Sequence, residues 1–519
     1  MTGTGNVTAD VVVMGMGVAG LAAAITAHDA GARVVVLEKA PIEHAGGNAR
    51  VSGQAWFSPV DVDAAQRHIR AMAGDYPASD EIISALCVES AKHNDWVSDR
   101  LAEVVDEVVW DAADPMSVEQ RRVFRVPFTS AAAYAGQELP RDEFWDLDGS
   151  DCGTERNMVG GSMGYGRLWR VLTAALAKRG IEVHYGVQAV SLVRAADGTV
   201  LGVDVADETA GVRAFRAEQA VIVATGGFAA NPALTSNYLR LPDATPYGSP
   251  YNTGDGMLLA QELGADLAHP YNYMSLAGIR LGDEFIGEVC EVRDNRYVLV
   301  AGDGRRFIDE TLGSWHGKTR LRGGFDFYPG APMWTIFDED GRLAGPLSTS
   351  ISEFPVGWAR MIGNYQWSRD NAKEIANGWI VKADSVRELA QKLGLDADAL
   401  ESEIATFNDD AVAGRDDRRF GRPASRMTTV GRPPFYGYKW GQVLITTLGG
   451  IRKDAAARAL DVAGRPIPQL YVAGEVASSF PWVLSGGMSL SDGLAFGRIA
   501  GRNAVMEPSP APAATGVHS

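Results

Sequence analysis

The chain has 519 residues, 46% of them apolar, and a formal net charge of -17 at neutral pH. Its length exceeds one typical domain and predicts two, and the surplus of acid argues against nucleic acid or an anionic membrane as partner, since like charge repels phosphate. The three cysteines, Cys87, Cys152 and Cys290, are odd in number and far apart; that excludes a disulfide framework or a CxxC metal or haem site and fits a reducing cytoplasm.

The opening run VVVMGMGVAGLAAAI, followed by ARVVVLEK, reads as strand, glycine turn, helix and a second strand ending in an acid. Gly15 allows the tight turn, Gly17 lets backbone approach a pyrophosphate and Gly20 brings helix close to strand. The helix N-terminus offers N–H groups to the phosphates, and Glu38 stands ready for a ribose diol. Glycines interrupt the apolar run from Val11 to Ile25, and no basic region or twin arginine precedes it, so it reads as fold and not as signal or membrane span.

Between Val60 and Val109 apolar residues recur at three and four, which predicts a helical excursion; Gly164 to Arg179 predicts another amphipathic helix, ended by Gly180. IEVHYGVQAVSLVR then reads as strands, and the following stretch as a hairpin returning to a buried parallel strand, Val221 to Thr225. From Leu276 to Asp417 short aromatic-rich segments give way to two helices with capping residues Ser385 and Asp396. IPQLYVAGE restores a buried strand and MSLSDGLAFGRIAGRNAVM closes the chain as a helix, before a Pro/Ala-rich tail. The expected organisation is an α/β fold: a Rossmann-like nucleotide-binding domain over 1–275 and 418–505, an inserted α+β catalytic or cap domain over 276–417, and a disordered tail over 506–519.

Further strings carry their own physical readings. Gly46 and Gly47, soon after the ribose acid, let backbone run beside a ligand longer than a nicotinamide dinucleotide requires. Gly226 and Gly227 read as a close approach or as a plain turn after a strand. Asp255, between two glycines, is either a turn acid or a ligand contact. Glu475, after Gly474 at a strand end, reads as an acceptor for a ligand hydroxyl or as a plain strand-end acid. SGGMSLSD lies at a helix start whose N–H groups at Ser489 and Leu490 stabilise negative charge, or is an ordinary N-capped helix.

Taken together, GMGVAG with Glu38 and Lys39, GGNARVSG from Gly46, ATGGF from Ala224, NTGDGM from Asn252, GRRFIDE from Gly304, PPFYG from Pro433, TLGG from Thr447, LYVAGE from Leu470 and SGGMSLSDGLAFGRIAG from Ser485 resemble the flavoprotein family that contains fumarate reductase, the 3-ketosteroid dehydrogenases and tricarballylate dehydrogenase. The resemblance runs over nearly the whole chain and implies bound FAD, with Ala19, Asn48, Ser52, Gly53, Ala189, Ala224 and Thr225 among its contacts besides the residues above. It implies non-covalent attachment, because no histidine stands where covalent members attach flavin; His44 is offset. It implies hydride exchange between flavin N5 and a carbon β to a carbonyl or carboxylate, with donors on the carbonyl oxygen and an acid or base at the α carbon.

At three positions where the dicarboxylate reductases carry His, Arg and Arg, this chain has Thr446, Leu484 and Ser314. Each charge-assisted bond to a carboxylate is worth ~1.5–3 kcal/mol, so fumarate or succinate is an unfavourable substrate. The Δ1-type steroid dehydrogenases place tyrosines where Trp482 and Ser314 stand; the segment WHGK is similar to the Δ4-type and tricarballylate-type pattern, with Trp315 in a tyrosine's place. Candidate catalytic groups are therefore His316, Trp315, Tyr438, Ser485 and the N–H of Gly486. His316 reads as base, carbonyl donor or structural histidine. Tyr438 and its neighbour Tyr436 read as phenolic acid/base or as packing, and Ser485 as substrate donor or helix cap. Lys318 and Arg320 read first as solvated cations, second as anchors of an anionic substrate, and Trp482, Trp315 and Trp334 as an apolar wall or plain core. The expectation is a dehydrogenase acting on a ketone or enone with an external electron acceptor; the rivals are a reductase of the fumarate type and a flavin-binding redox protein.

Overall fold

The computed structural model describes residues 7–114, 116–127, 147–153, 155–207, 211–312, 316–321, 324–328, 332–349, 354–363 and 365–506. Contacts divide the chain into two units: the first comprises residues 1–231, 251–272 and 447–519, the second residues 232–250 and 273–446.

In the first unit, strand β1 (Val7–Met14), helix α1 (Val18–Asp29) and strand β2 (Val34–Glu38) form the opening βαβ. Their valine runs pair in parallel, Val11 opposite Val34 and Val13 opposite Val36, and are buried from both faces, the environment that selects near-continuous apolar strands. The sheet is resumed by β3 (Gly211–Val223), which pairs in parallel with β1, and by β4 (Pro466–Val472), parallel to β3. The spatial order is Arg458–Leu460, β4, β3, β1, β2, Glu182–Tyr185. Because β1 to β4 run the same way, the loops after Met14, Glu38, Val223 and Val472 emerge at one carboxyl edge, where open α/β sheets take ligands.

Helix α2 (Met488–Met506) lies against α1. A Cβ at Gly497 would stand 2.5 Å from Ala19 O and one at Gly501 2.5 Å from Ala23 O; glycines four apart on one helix and alanines four apart on the other let the two backbones touch. The helical excursion is three helices, Val62–Ala73, Asp80–Ser90 and His93–Val104, the first two capped by Asp61 and Ser79 side chains. The predicted helix at 164–179 spans Arg167–Lys178.

The second unit is built on a seven-stranded sheet whose central strand, Phe435–Thr447, pairs antiparallel with Met333–Asp338 and Val381–Ala383. Alternation along its strands sends Val298, Val300 and Ile336 into a core with Leu389, Leu400 and Phe407, while Leu299 and Phe337 pack with Tyr436, Tyr438 and Trp440. The helices Val386–Leu393 and Ala397–Val412 carry the predicted caps: Ser385 accepts from Glu388 N and Asp396 from Ala399 N. The string GRRFIDE is structural here. Arg306 reaches Glu310 at 2.7 Å and Asp417 at 2.9 Å, Arg422 reaches Glu310 at 3.2 Å, and all four side chains are fully buried.

The division differs from the expected boundaries. The second unit starts at Tyr273, near the expected 276, but also takes in 232–250 and ends at Thr446 instead of 417. PPFYG begins the strand that unites that sheet, and Thr245 and Pro246 pair with Val443 and Leu444; apolar alternation alone does not say to which sheet a strand belongs. The tail from 507 lies outside the described residues.

Candidate functional site: the dinucleotide cradle

At the carboxyl edge of the first unit the glycine turn has the three separate duties the spacing predicts. Gly15 has φ +101°, and a Cβ there would stand 2.4 Å from Ala224 O; one at Gly20 would stand 1.9 Å from Gly15 O. Gly17 differs: its nearest neighbour in the direction of a Cβ is Gly46 O, at 3.9 Å. Two of the glycines are thus required by the fold, whereas the third leaves room beside the turn, where a pyrophosphate approaches the start of α1.

Glu38 is buried and accepts from Met16 N at 2.9 Å and Ala40 N at 2.8 Å. Burial pushes its carboxyl above the ordinary value, while those two N–H groups, Lys39 and a bond from Gly46 hold it back. A carboxylate has about four lone-pair sites, so acceptor capacity remains for a diol. Lys39 and Asp255 meet each other: Lys39 Nζ lies 2.8 Å from Asp255 Oδ2 and also bonds Thr253 Oγ1. This ties the second strand's end to NTGDGM. Ala189 lies on the strand Gln188–Arg194, entered through the bond from Val187 N to Glu38 O.

The strings from Gly46, Ala224, Asn252, Thr447 and Gly474 converge. Asn48 Nδ2 donates to Glu475 Oε2 at 2.9 Å, Thr447 N donates to Glu475 Oε1 at 2.9 Å, and a Cβ at Gly227 would stand 2.0 Å from Thr447 Oγ1 and 2.4 Å from Glu475 Oε1. Asn252 Oδ1 stands 2.7 Å from where Gly226 would carry a Cβ and 3.9 Å from the same point at Gly47. Other expected residues support the frame: Ala19 meets Gly474 and the closing helix, Gly53 abuts Met163, and Ser52 Oγ donates to Ala49 O.

The closing helix begins at Met488, and its first intrahelical bond runs from Ser491 N to Gly487 O, so the N–H groups of Ser489 and Leu490 precede the ladder. Ser485 is buried, its carbonyl accepting from Met488 N at 3.3 Å, and Gly486 follows it in the turn.

Three buried polar atoms of this edge have no protein hydrogen-bond partner: Thr225 Oγ1, Asn252 Nδ2 and Ser489 Oγ. Each sits in a string that reading the sequence assigns to FAD. Such atoms are costly to bury unmatched, and together with the room beside Gly17 they form a cradle whose donors and acceptors suit a dinucleotide. The residues present therefore fit FAD.

A match to the model described as FAD binding domain extends over residues 10–490. The chain belongs to the FAD binding domain family. It is 28% identical to the 3-oxosteroid 1-dehydrogenase of Mycolicibacterium smegmatis, over 90% of this chain and 92% of that protein. It is 27% identical to the fumarate reductase (cytochrome) of Shewanella frigidimarina, over 96% of this chain and 77% of that one. Among solved structures, the 3-ketosteroid Δ1-dehydrogenase of Sterolibacterium denitrificans superposes with a TM-score of 0.71 at 20% identity, covering 96% of this chain and 99% of that one, which shows the shared fold. This protein is an FAD-dependent oxidoreductase of that family.

The second unit holds the remaining expected groups. Tyr438 is fully buried, with its hydroxyl on Cys290 O at 3.1 Å and its ring against Phe337, and burial pushes its phenol far above the ordinary value; of its two readings this fits packing. Tyr436 likewise bonds Glu339 Oε2 at 2.6 Å. Lys318 is buried and not a solvated cation: its ammonium donates to Tyr273 O at 2.6 Å and lies over the rings of Tyr273 and Phe327. His316 is half-buried in a left-handed conformation, φ +57°, preceding Gly317, whose Cβ would stand 2.3 Å from Ser275 Oγ. Trp315 lies outside the described residues.

The sequence reading named Asp255 but passed over Asn252, three positions earlier in the same string, and missed Thr447 as the donor to Glu475. Trp169 was also missed: its Nε1 donates to Met16 O at 3.0 Å, and its indole blocks any side chain at Gly46. Its only signal is a tryptophan near the start of an amphipathic helix.

Proposed function

We propose that the protein is a cytoplasmic dehydrogenase acting on CH–CH bonds, introducing a C=C bond α,β to a ketone or related carbonyl of a steroid-like or alicyclic substrate. The carrying observation is the chemistry of the segment that leads into the closing helix. Where a carboxylate-gripping arginine would stand there is Leu484, buried, and Trp482 two residues before it stacks on Tyr76 at 4.5 Å. An apolar, aromatic segment favours a flat hydrocarbon skeleton over a dicarboxylate.

FAD, when bound, supplies a two-electron acceptor for the β hydride, to be reoxidised by an external acceptor. Held non-covalently, it would be gripped by Glu38 at the ribose, by the start of α1 at the pyrophosphate and by Glu475, Ser489 and Leu490 toward the ring system. Ser485 and the N–H of Gly486 would donate to the carbonyl oxygen, where negative charge grows as the α proton leaves. Of the groups named from the sequence in the second unit, His316 is the proposed base.

Reduction of an unsaturated carboxylate is the second reading; it would need a cation to hold the carboxylate. Anaerobic mixing with a cyclic ketone tests the proposal: bleaching of the flavin's blue absorbance is expected. Oxidation of a reduced dye by an unsaturated acid selects the reductase instead, and bleaching by dithionite alone leaves a redox protein without this turnover.

A further inference from the structure

Behind the start of the closing helix lies a pair of opposite charges that the proposed chemistry does not use. Lys453 and Asp492 are both buried, with Nζ 3.4 Å from Oδ1. The ammonium also stands 3.5 Å from the centre of the Phe496 ring, which follows Asp492 by one turn on the same helix face. On its other side the same carboxylate oxygen accepts from Ser479 Oγ. Three distant strings meet here: Lys453 follows TLGG, Asp492 belongs to SLSDG, and Ser479 opens the segment that ends at Ser485.

The placement matters more than the pairing. Asp492 sits three residues after Ser489, so its charge is one turn from the unmatched Ser489 hydroxyl and the exposed end of the helix ladder. A helix N-terminus favours negative charge beside it. A buried carboxylate one turn in opposes that effect, and in a poorly screened interior the opposition is strong. Lys453 cancels it. Burial disfavours both charged forms, pushing the lysine down and the acid up. The arrangement therefore persists as a matched pair, and removal of one member exposes the other.

We infer that Lys453 and Asp492 are an electrostatic positioning pair: together they hold the segment from Ser479 against the closing helix and set the field at its N-terminus, and thereby the midpoint potential of bound FAD. The inference rests on the FAD reading of this edge. Reduction takes two electrons from the reductant and one proton from solvent, so the reduced cofactor carries one more negative charge than the oxidised one. A cation left alone favours that state, and an anion left alone opposes it.

The test is reductive titration of the FAD-loaded protein with dithionite beside an indicator dye, for the parent, Asp492→Asn, Lys453→Met and the double variant. The expected result is a more positive potential for D492N, a more negative one for K453M, and a double variant close to the parent. A merely structural role moves the two single variants the same way or not at all, and either result overturns the inference. Failure of the parent to take up FAD overturns the underlying reading as well, whereas FAD uptake with unmoved potentials overturns only this inference.

Discussion

Single residues divide the conspicuous groups into those that hold the fold and those left for a ligand. A Cβ at Gly20 meets Gly15 O at 1.9 Å, so Gly20→Ala must push α1 from β1; overpacking of this kind costs ~1–3 kcal/mol, and weaker FAD retention measured by flavin fluorescence should accompany the loss. Tyr438→Phe removes a bond to Cys290 O from a buried position. It should cost about 1 kcal/mol in a denaturant melt and leave turnover unchanged; a collapse of kcat with stability intact would restore the phenol to the chemistry. His93 gives the pH dependence. Fully buried with Nδ1 against Phe57 O at 3.0 Å, it is held down to about 3 by burial. The unfolded chain binds this proton near pH 6.5 and the folded one does not, so stability is complete above that pH and falls as pH drops through it. Between pH 6.5 and 5 the loss is ~2 kcal/mol, and His93→Gln should flatten the slope.

Elements show what was legible in the sequence and what was not. The opening βαβ, the capped helices after Ser385 and Asp396 and the closing helix from Met488 could be read because periodicity, caps and glycines agree locally. The cradle's glycines were legible for the same reason. The central strand of the second sheet was not legible, since Phe435–Thr447 finds its partners a hundred residues earlier at Met333–Asp338. Nor could spacing show that Lys39 and Asp255 neutralise each other, or that Lys318 is buried; a cation on a short segment looks solvated until the rings of Tyr273 and Phe327 cover it. Of the four buried charges in the Arg306 cluster, Arg306 and Glu310 were legible only as part of GRRFIDE, and Asp417 and Arg422, about a hundred residues on, were not legible at all. Their removal should be severe: Arg306→Met leaves Asp417 without its arginine and Glu310 with Arg422 alone, costing about 3–5 kcal/mol by chemical denaturation, whereas FAD affinity in the surviving folded fraction should stay near that of the parent.

For the whole molecule, the account stands or falls on the cradle being a cofactor site. Six segments, separated by up to several hundred residues, bring Glu38, Asn48, Thr225, Asn252, Glu475 and Ser489 to one edge of one sheet, and three of these carry buried polar atoms with no protein partner. Matching them with a ligand stabilises the folded state by mass action, about 2.7 kcal/mol at a hundredfold excess over Kd. The most direct measurement is therefore a titration of purified, flavin-stripped protein with FAD, read by absorbance in the blue and by thermal melting in the same samples. The account predicts saturable uptake of one FAD per chain, with a rise in Tm that tracks occupancy and is lost in Gly20→Ala. Protein that stays colourless, with a Tm indifferent to FAD, would contradict it.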